Sequence, residues 1–391
     1  MTQAIFVINA GSSSLKFAIY RAEAGTEPLA TGAVERIGPD GRLHLNGSDG
    51  AELPTAPGPL ATHGQALETA LESIRRVYPA LSVAAFGHRV VHGGLAFDAP
   101  VRVTDDILAT LREFVPFAPI HQSHNLAGIE AARQAFPNAP QVACFDTAFH
   151  RSHPFVNDTF ALPRAYYDKG VRRYGFHGLS YEYISSELAA RAPDLAAGRV
   201  VVAHLGNGAS MCALQGGVSV ASTMGFSALD GLPMGTRCGQ LDPGVVLYLL
   251  TEEGLSPAAA SDLLYRQSGL LGLSGLSNDM RELEASDAPE ARDAIDYFTF
   301  RIRRELGAMS ATLGGLDALV FCGGIGENSV RVREEVCAPM GWLGVHLDRS
   351  ANAGGAGVIS PPDAPVAVMV IPTNEELVIA RAAHKVWSAA S

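Results

Sequence analysis

Residues 5–20 read IFVINAGSSSLKFAIY. An apolar, largely β-branched run ends in a Gly-Ser-Ser-Ser turn and then resumes. On resumption Leu15, Phe17 and Ile19 alternate with Lys16, Ala18 and Tyr20, which predicts a β-hairpin with one apolar face. Ser14 and Lys16 share the parity opposite to Leu15 and Phe17, so both point away from the core. A glycine-serine turn leaves backbone N–H groups free to surround an anion, hydroxyls add donors, and a lysine adds charge, which is the chemistry of phosphate binding. A solvated hairpin tip has the same composition. The stretch is not a Walker P-loop, and no G-x-G-x-x-G follows a strand anywhere in the chain, so two common nucleotide signatures are excluded.

The same device returns at residues 200–214, VVVAHLGNGASMCAL, where an apolar strand meets a Gly-Asn-Gly turn and a second apolar strand follows. Between and after the two hairpins, helical spacing is clear at 66–78 and clearer at 295–313, where Ile295, Phe298, Ile302, Leu306, Met309 and Leu313 recur at steps of three and four. That helix is expected to stop at Gly314-Gly315. ALVFCGGIGENS (318–329) then reads as strand, glycine turn and a helix starting near Ser329, and PVAVMVIPTNEELVIARAAHKVW (365–387) as strand, proline, helix. Segments 21–60 and 350–365, rich in Gly, Pro, Asp and Ala, are expected to be turns and surface excursions.

Totals narrow the function. A chain of 391 residues, 47% hydrophobic and 18% charged, is too long for one ordinary core and predicts two domains. Its net charge of −11 argues against nucleic acid or an anionic membrane as partner. Five cysteines without C-x-x-C or metal spacing fit a reducing, cytoplasmic setting, and no 18 apolar residues run together. His-x-x-His occurs at His121/His124 and His150/His153, a weak signal for a transition metal.

Nine strings in order carry a more specific signal: INAGSSSLKF, GHRVVHGG, CFDTAFH, YGFHG, HLGNGAS, MGTRCG, SNDMREL, GGIGENS and PTNEELVIA, together spanning residues 8–380. In these the chain resembles the acetate kinases. The resemblance implies an α/β, two-domain actin-like ATPase of duplicated ribonuclease H-like domains with the active site in the cleft between them. It implies an N-terminal domain over 1–148, a nucleotide-binding domain over 149–373, and a C-terminal helix, 374–391, returning to the first. The implied reaction is reversible phosphoryl transfer from ATP to acetate, giving acetyl phosphate and ADP, with Mg2+ or alternatively Mn2+. A homodimer is also implied.

Residue by residue, the resemblance puts Arg89, Asp146, His177 and Arg237 at the chemistry. Arg89, Val91, Ile120, Phe176 and Ala228 would meet the acid. The nucleotide would lie on Ser12, Ser14 and Lys16, on His204, Leu205, Gly206, Asn207 and Gly208, on Asp279, Met280 and Arg281, and on Gly323, Gly324, Ile325, Gly326, Glu327 and Asn328. Asn9 and a glutamate of PTNEEL match the metal positions. Thr373-x-x-Glu376 has the form of a capping box, which would occupy Glu376 and leave Glu375 for the metal. Taken singly, an arginine here would read as a surface ion pair and a histidine as a satisfied core residue.

Departures bear on specificity. Gln122 and Ser123 stand where the family has Asn and Pro, Gln240 where it commonly has Asp, and Ala228 where proline is common, which predicts a slightly wider acyl pocket. A methylene in such a pocket is worth about 1–3 kcal/mol, so acetate is expected to lead and propionate to remain a substrate. A propionate or butyrate kinase is the near alternative. A nucleotide-switched binding protein without phosphotransfer is the alternative of another class.

Overall fold

The computed structural model describes residues 2–11, 13–22, 26–118, 121–355 and 357–389. The chain divides into two compact units, Met1–Arg151 with Asn374–Ser391, and Ser152–Thr373.

The first unit carries seven strands: β1 (Thr2–Ala10), β2 (Ser14–Arg21), β3 (Ala30–Glu35), β4 (Arg42–Gly47), β5 (Leu81–Val90), β6 (Val101–Arg102) and β7 (Gln141–Phe145), in the order β4-β3-β2-β1-β5-β7-β6. β1 and β2 form the expected hairpin, with Asn9 opposite Lys16 and Ile8 opposite Phe17. Leu15 and Phe17 are buried and Lys16 is exposed, but Ala18 and Tyr20 are buried too. Beyond the turn, then, the strand is covered on both faces rather than one. Strands β3 and β4 overturn the reading of 21–60 as turns. They extend the hairpin antiparallel, with Val34 opposite Leu43 and both Val34 and Leu45 fully buried. Phe6 stacks on Phe17 at 5.3 Å and meets Phe86 at 5.5 Å, fixing the centre of this core.

The second unit carries β8 (Arg199–Leu205), β9 (Ala209–Gln215), β10 (Val218–Ser222), β11 (Ala318–Cys322), β12 (Gly357–Val358) and β13 (Ala367–Val370), ordered β10-β9-β8-β11-β13-β12. In each sheet an antiparallel hairpin leads through its first strand into two parallel strands: β3-β2-β1-β5-β7 in one, β10-β9-β8-β11-β13 in the other. That repeated order is the duplication the two glycine hairpins predicted. The long helix runs Pro289–Leu313, six residues earlier than its apolar spacing signals, because Pro289 suits a first helical position. It closes on Gly314 at φ 70°.

The glycines after β11 are not a loop. They form the helix Gly323–Asn328, entered at Gly323 with φ 77°, and a second helix, Val330–Cys337, starts from the Ser329 cap. At 350–365 a short helix, Arg349–Gly354, and β12 replace part of the predicted excursion. None of the five cysteines is in a disulfide. No helix among the described residues is long and apolar enough to cross a membrane.

Candidate active site

In the first unit, β5 and β7 run parallel and end side by side, with Arg89 opposite Cys144 and Val90 opposite Phe145. Asp146 follows β7 directly, its N–H donating to the Val90 carbonyl at 3.1 Å. That register brings its carboxylate to Arg89, whose Nε donates to Oδ1 at 3.0 Å and whose Nη2 donates to Oδ2 at 2.8 Å. The salt partner missing from Asp146's sequence neighbourhood lies on the adjacent strand. Glu375 completes the group, its Oε2 being 3.0 Å from Arg89 Nη1. Burial works against the charge on Arg89, yet Asp146 and Glu375 outweigh it and hold the guanidinium above its ordinary pKa. Burial pushes the Glu375 carboxyl up, opposed by Arg89.

Glu375 reaches Arg89 because the helix Glu375–Ser388 lies against β5. A Cβ on Gly87 would sit 2.5 Å from Ile379 Cγ2, so only glycine permits that approach. The capping box expected at Thr373 and Glu376 is not formed. Asn374 is the cap, its Oδ1 accepting from Leu377 N–H at 2.9 Å, because Thr373 is engaged elsewhere: its N–H donates to Glu327 and its hydroxyl meets Ser180. Asn is among the strongest capping residues, and it stands one position nearer the helix.

Ser14 is half-buried beside Gly11, whose N–H donates to the Ser14 carbonyl at 2.8 Å. Asn9 is half-buried opposite Lys16. Ser12 and Ile120 lie outside the described residues. Val91 is held from behind: its N–H donates to Asn125 Oδ1 at 3.0 Å, while Asn125 Nδ2 donates to the Ala10 carbonyl. Gln122, one of the departures, is fully buried and clasps His92 through both its N–H and its carbonyl. Neither Gln122 nor Asn125 carried a positional signal in the sequence, since their partners are backbone groups of distant segments.

In the second unit, His177 caps the helix Gly178–Arg191 from a left-handed conformation, φ 57°, which a non-glycine residue adopts at a cost of about 1–3 kcal/mol and which clusters at functional sites. Its ring stacks on His204 at 4.4 Å between centroids. His204 Nδ1 lies 2.8 Å from Ser180 Oγ, and His177 Nδ1 lies 2.8 Å from Ser210 Oγ. A Cβ on Gly208 would come 3.1 Å from His177 Nε2 and 3.8 Å from Arg237 Nη2. The Gly-Asn-Gly turn thus lets an imidazole nitrogen and a guanidinium come close to its backbone at Gly208.

Arg237 is fixed by Nη1 donating to the Ala228 carbonyl at 2.9 Å, so Ala228 contributes through its backbone. Gln240 turns to helix Pro289–Leu313, its Oε1 accepting from Arg301 at 3.0 Å and from Arg304. Phe176 is buried. The glycine helix abuts the turn, since a Cβ on Gly323 would meet the Leu205 carbonyl at 2.7 Å. Beside it Gly206, Asn207, Asp279, Met280, Arg281, Gly324, Ile325 and Asn328 line one cavity of about 690 Å³, together with Asn278, Glu284 and Ser329. Asp279 caps its own short helix and pairs with Arg281, and the Arg281 side-chain hydrogen bond lowers the carboxyl to about 2. Glu327 folds back along its own helix, its carboxylate accepting from Gly323 N–H at 2.8 Å and Thr373 N–H at 3.1 Å. Arg333, fully buried, donates to the Gly326 and Glu327 carbonyls and holds that helix from beneath.

Two units of one strand order, each with a glycine-turned hairpin, define an actin-like ATPase fold, and an arginine and histidine converging on the second turn mark a phosphotransferase of that fold. The chain belongs to the Acetokinase family, whose profile matches residues 4–381. An acetate kinase of Methylocella silvestris is 58% identical, the match covering 97% of each chain. The crystal structure of Porphyromonas gingivalis acetate kinase is 38% identical with a TM-score of 0.89, over 98% of this chain and 99% of that one. That of a Francisella tularensis propionate kinase is 34% identical with a TM-score of 0.91, over 98% and 99%.

Proposed function

We propose that the protein is an acetate kinase, transferring the γ-phosphoryl group of ATP reversibly to acetate. The observation that carries this reading is the convergence of His177 Nε2 and Arg237 Nη2 on the backbone at Gly208. A carboxylate oxygen of acetate forms a bond to the γ-phosphorus, the bond from phosphorus to the β-γ bridging oxygen breaks, and ADP leaves. Acetate is already ionised near neutral pH, so no base is needed, and the protein must position two anions and neutralise their charge.

In this reading Arg237 and His177 donate to oxygens of the transferring group, and Arg89 meets the carboxylate while Asp146 holds its fork. Val91, Ile120, Phe176 and Ala228 bound the methyl group. The serines of the first hairpin, Ser12 and Ser14, with Lys16, and the turn His204–Gly208 attend the phosphates. Asp279–Arg281 and Gly323–Asn328 receive the adenosine. The reaction needs a divalent metal. Asn9 and Glu375 offer an amide and a carboxylate oxygen, hard donors that suit Mg2+ when water and phosphate fill its remaining positions. No group of three His, Cys, Asp or Glu side chains that could hold a metal occurs among the described residues, which fits so sparse a protein share. The metal, when bound, screens charge on the phosphates.

A homodimer is supported by the helix Pro243–Thr251, PGVVLYLLT, which has no buried residue while Leu247 is 62% exposed. An apolar helix left uncovered calls for a partner surface. Sedimentation at micromolar concentration should give twice the chain mass, and monomers would remove this part.

Hydroxylamine trapping of acyl phosphate with Mg-ATP and acetate, propionate or butyrate tests the function. Acetate is expected to give the highest kcat/KM. Propionate leading would shift the assignment to a propionate kinase, the second reading that Ala228 favours. ATP binding without acid-dependent product would leave a nucleotide-binding protein.

A further inference from the structure

Ser210, on β9, is fully buried, and its hydroxyl oxygen lies 2.8 Å from His177 Nδ1 and 2.5 Å from Tyr181 OH. These are the two partners of that hydroxyl among the described residues. Tyr181 is also fully buried, and its N–H closes the first helical turn on the His177 carbonyl at 3.1 Å, so the backbone that strains His177 also sets Tyr181 beneath it. His177 Nε2 is the ring nitrogen on the Gly208 side.

A serine hydroxyl has one hydrogen to give and can accept two. If Tyr181 donates to Ser210, the serine hydrogen is available for His177 Nδ1, and the ring then carries its proton on Nε2. If the order is reversed, Nδ1–H donates to Ser210, the serine hydrogen goes to Tyr181, and Nε2 presents a lone pair on the Gly208 side. A phenol is far more acidic than an alkyl hydroxyl and is the better donor of the pair, and if Nδ1–H donated to Ser210 as well, the buried serine hydrogen would have no acceptor among the described residues, so the first order is selected. It is also the order that gives phosphoryl oxygens a donor, where the second would meet them with a lone pair.

We propose that Tyr181 and Ser210 are positioning residues that fix His177 as its Nε2–H tautomer, with that hydrogen on the Gly208 side. The inference rests on the reading of His177 as a donor to the transferring group, but the tautomer is observable without turnover.

The test is a long-range proton–nitrogen spectrum of the whole protein labelled with 15N-histidine near neutral pH, the His177 signals being those lost in His177→Gln. The expected pattern in the unaltered protein is a protonated Nε2 and a bare Nδ1. Ser210→Ala should replace it with a mixture of tautomers and lower kcat about tenfold, the scale of one lost hydrogen bond, with both KM values within about twofold. Tyr181→Phe should shift the pattern in the same direction, and Ser210→Thr should restore it. A protonated Nδ1 in the unaltered protein overturns the proposal whatever the variants do, as does an unchanged tautomer in Ser210→Ala. Normal turnover in His177→Gln with the expected tautomer present would instead reject the role given to His177 and leave the tautomer assignment standing.

Discussion

Arg89 Nε and Nη2 reach the two oxygens of Asp146 at 3.0 and 2.8 Å, a bidentate pair that joins β5 to the residue after β7 and leaves Nη1 to Glu375. Asp146 is 2% exposed, so its carboxylate acts by fixing the plane of the guanidinium. Asp146→Asn should therefore weaken both the fold and the site. Removing one partner of a buried ion pair costs about 3–5 kcal/mol, readable in urea unfolding. With acetate as substrate, kcat should fall while its pH profile keeps its shape; a lost acidic limb would mean that Asp146 accepts a proton in the reaction.

Gly208→Ala should be a folded, poorly active protein. The added methyl group would sit 3.1 Å from His177 Nε2, against the ring nitrogen proposed to meet the phosphoryl group. A displacement of this order costs about a hundredfold in turnover. An unfolding midpoint equal to that of the parent, beside normal kcat, would show that nothing reacts there.

Acid should destabilise the first unit through His88. Burial lowers this imidazole to about 4 from 6.5, against the raising effect of Gln141. Between those values the unfolded chain binds a proton that the folded one refuses, so stability falls as pH drops from 6.5 to 4 and is unaffected by this group above 6.5. The loss should approach about 3 kcal/mol. His88→Gln should flatten that part of the stability curve by one proton, and an unchanged slope would contradict the assignment.

Gln240→Glu should stabilise the second unit. Arg301 is 5% exposed and its Nε has no hydrogen-bond partner among the described residues, while Gln240 offers Arg301 and Arg304 only a neutral oxygen. Hydrogen bonds to a charged acceptor are stronger by about 1 kcal/mol. A lower urea midpoint in the variant would show that desolvating the new carboxylate outweighs the gain.

Both glycine hairpins and the long helix were legible because each is local: alternation and three-and-four spacing need no tertiary knowledge. What escaped depended on distant partners. Strands β3 and β4 are six residues each, broken by Gly32 and half exposed, and become strands only by pairing onto β2. Thr373 lost its capping role to a hydroxyl network through Ser180 that no spacing rule sees. Gln122 and Asn125 serve backbone groups, so their side chains look like ordinary helix polarity. Glu327, within the helix Gly323–Asn328, also ties Gly323 to Thr373 through its carboxylate, a link no string reveals.

The approach of Ile379 to Gly87 has a bearing on biosynthesis. Strand β1 and the helix Glu375–Ser388 belong to one unit, with the whole second unit made between them. At roughly 5–20 residues per second, β1 and β5 leave the ribosome on the order of tens of seconds before the helix that covers them. During that interval the face around Gly87 is bare and Arg89 lacks Glu375. The nascent chain is therefore unable to assemble the Arg89–Asp146–Glu375 group until the helix Glu375–Ser388 has been made, and a shortened product lacking that helix would be exposed to quality control with the group unformed.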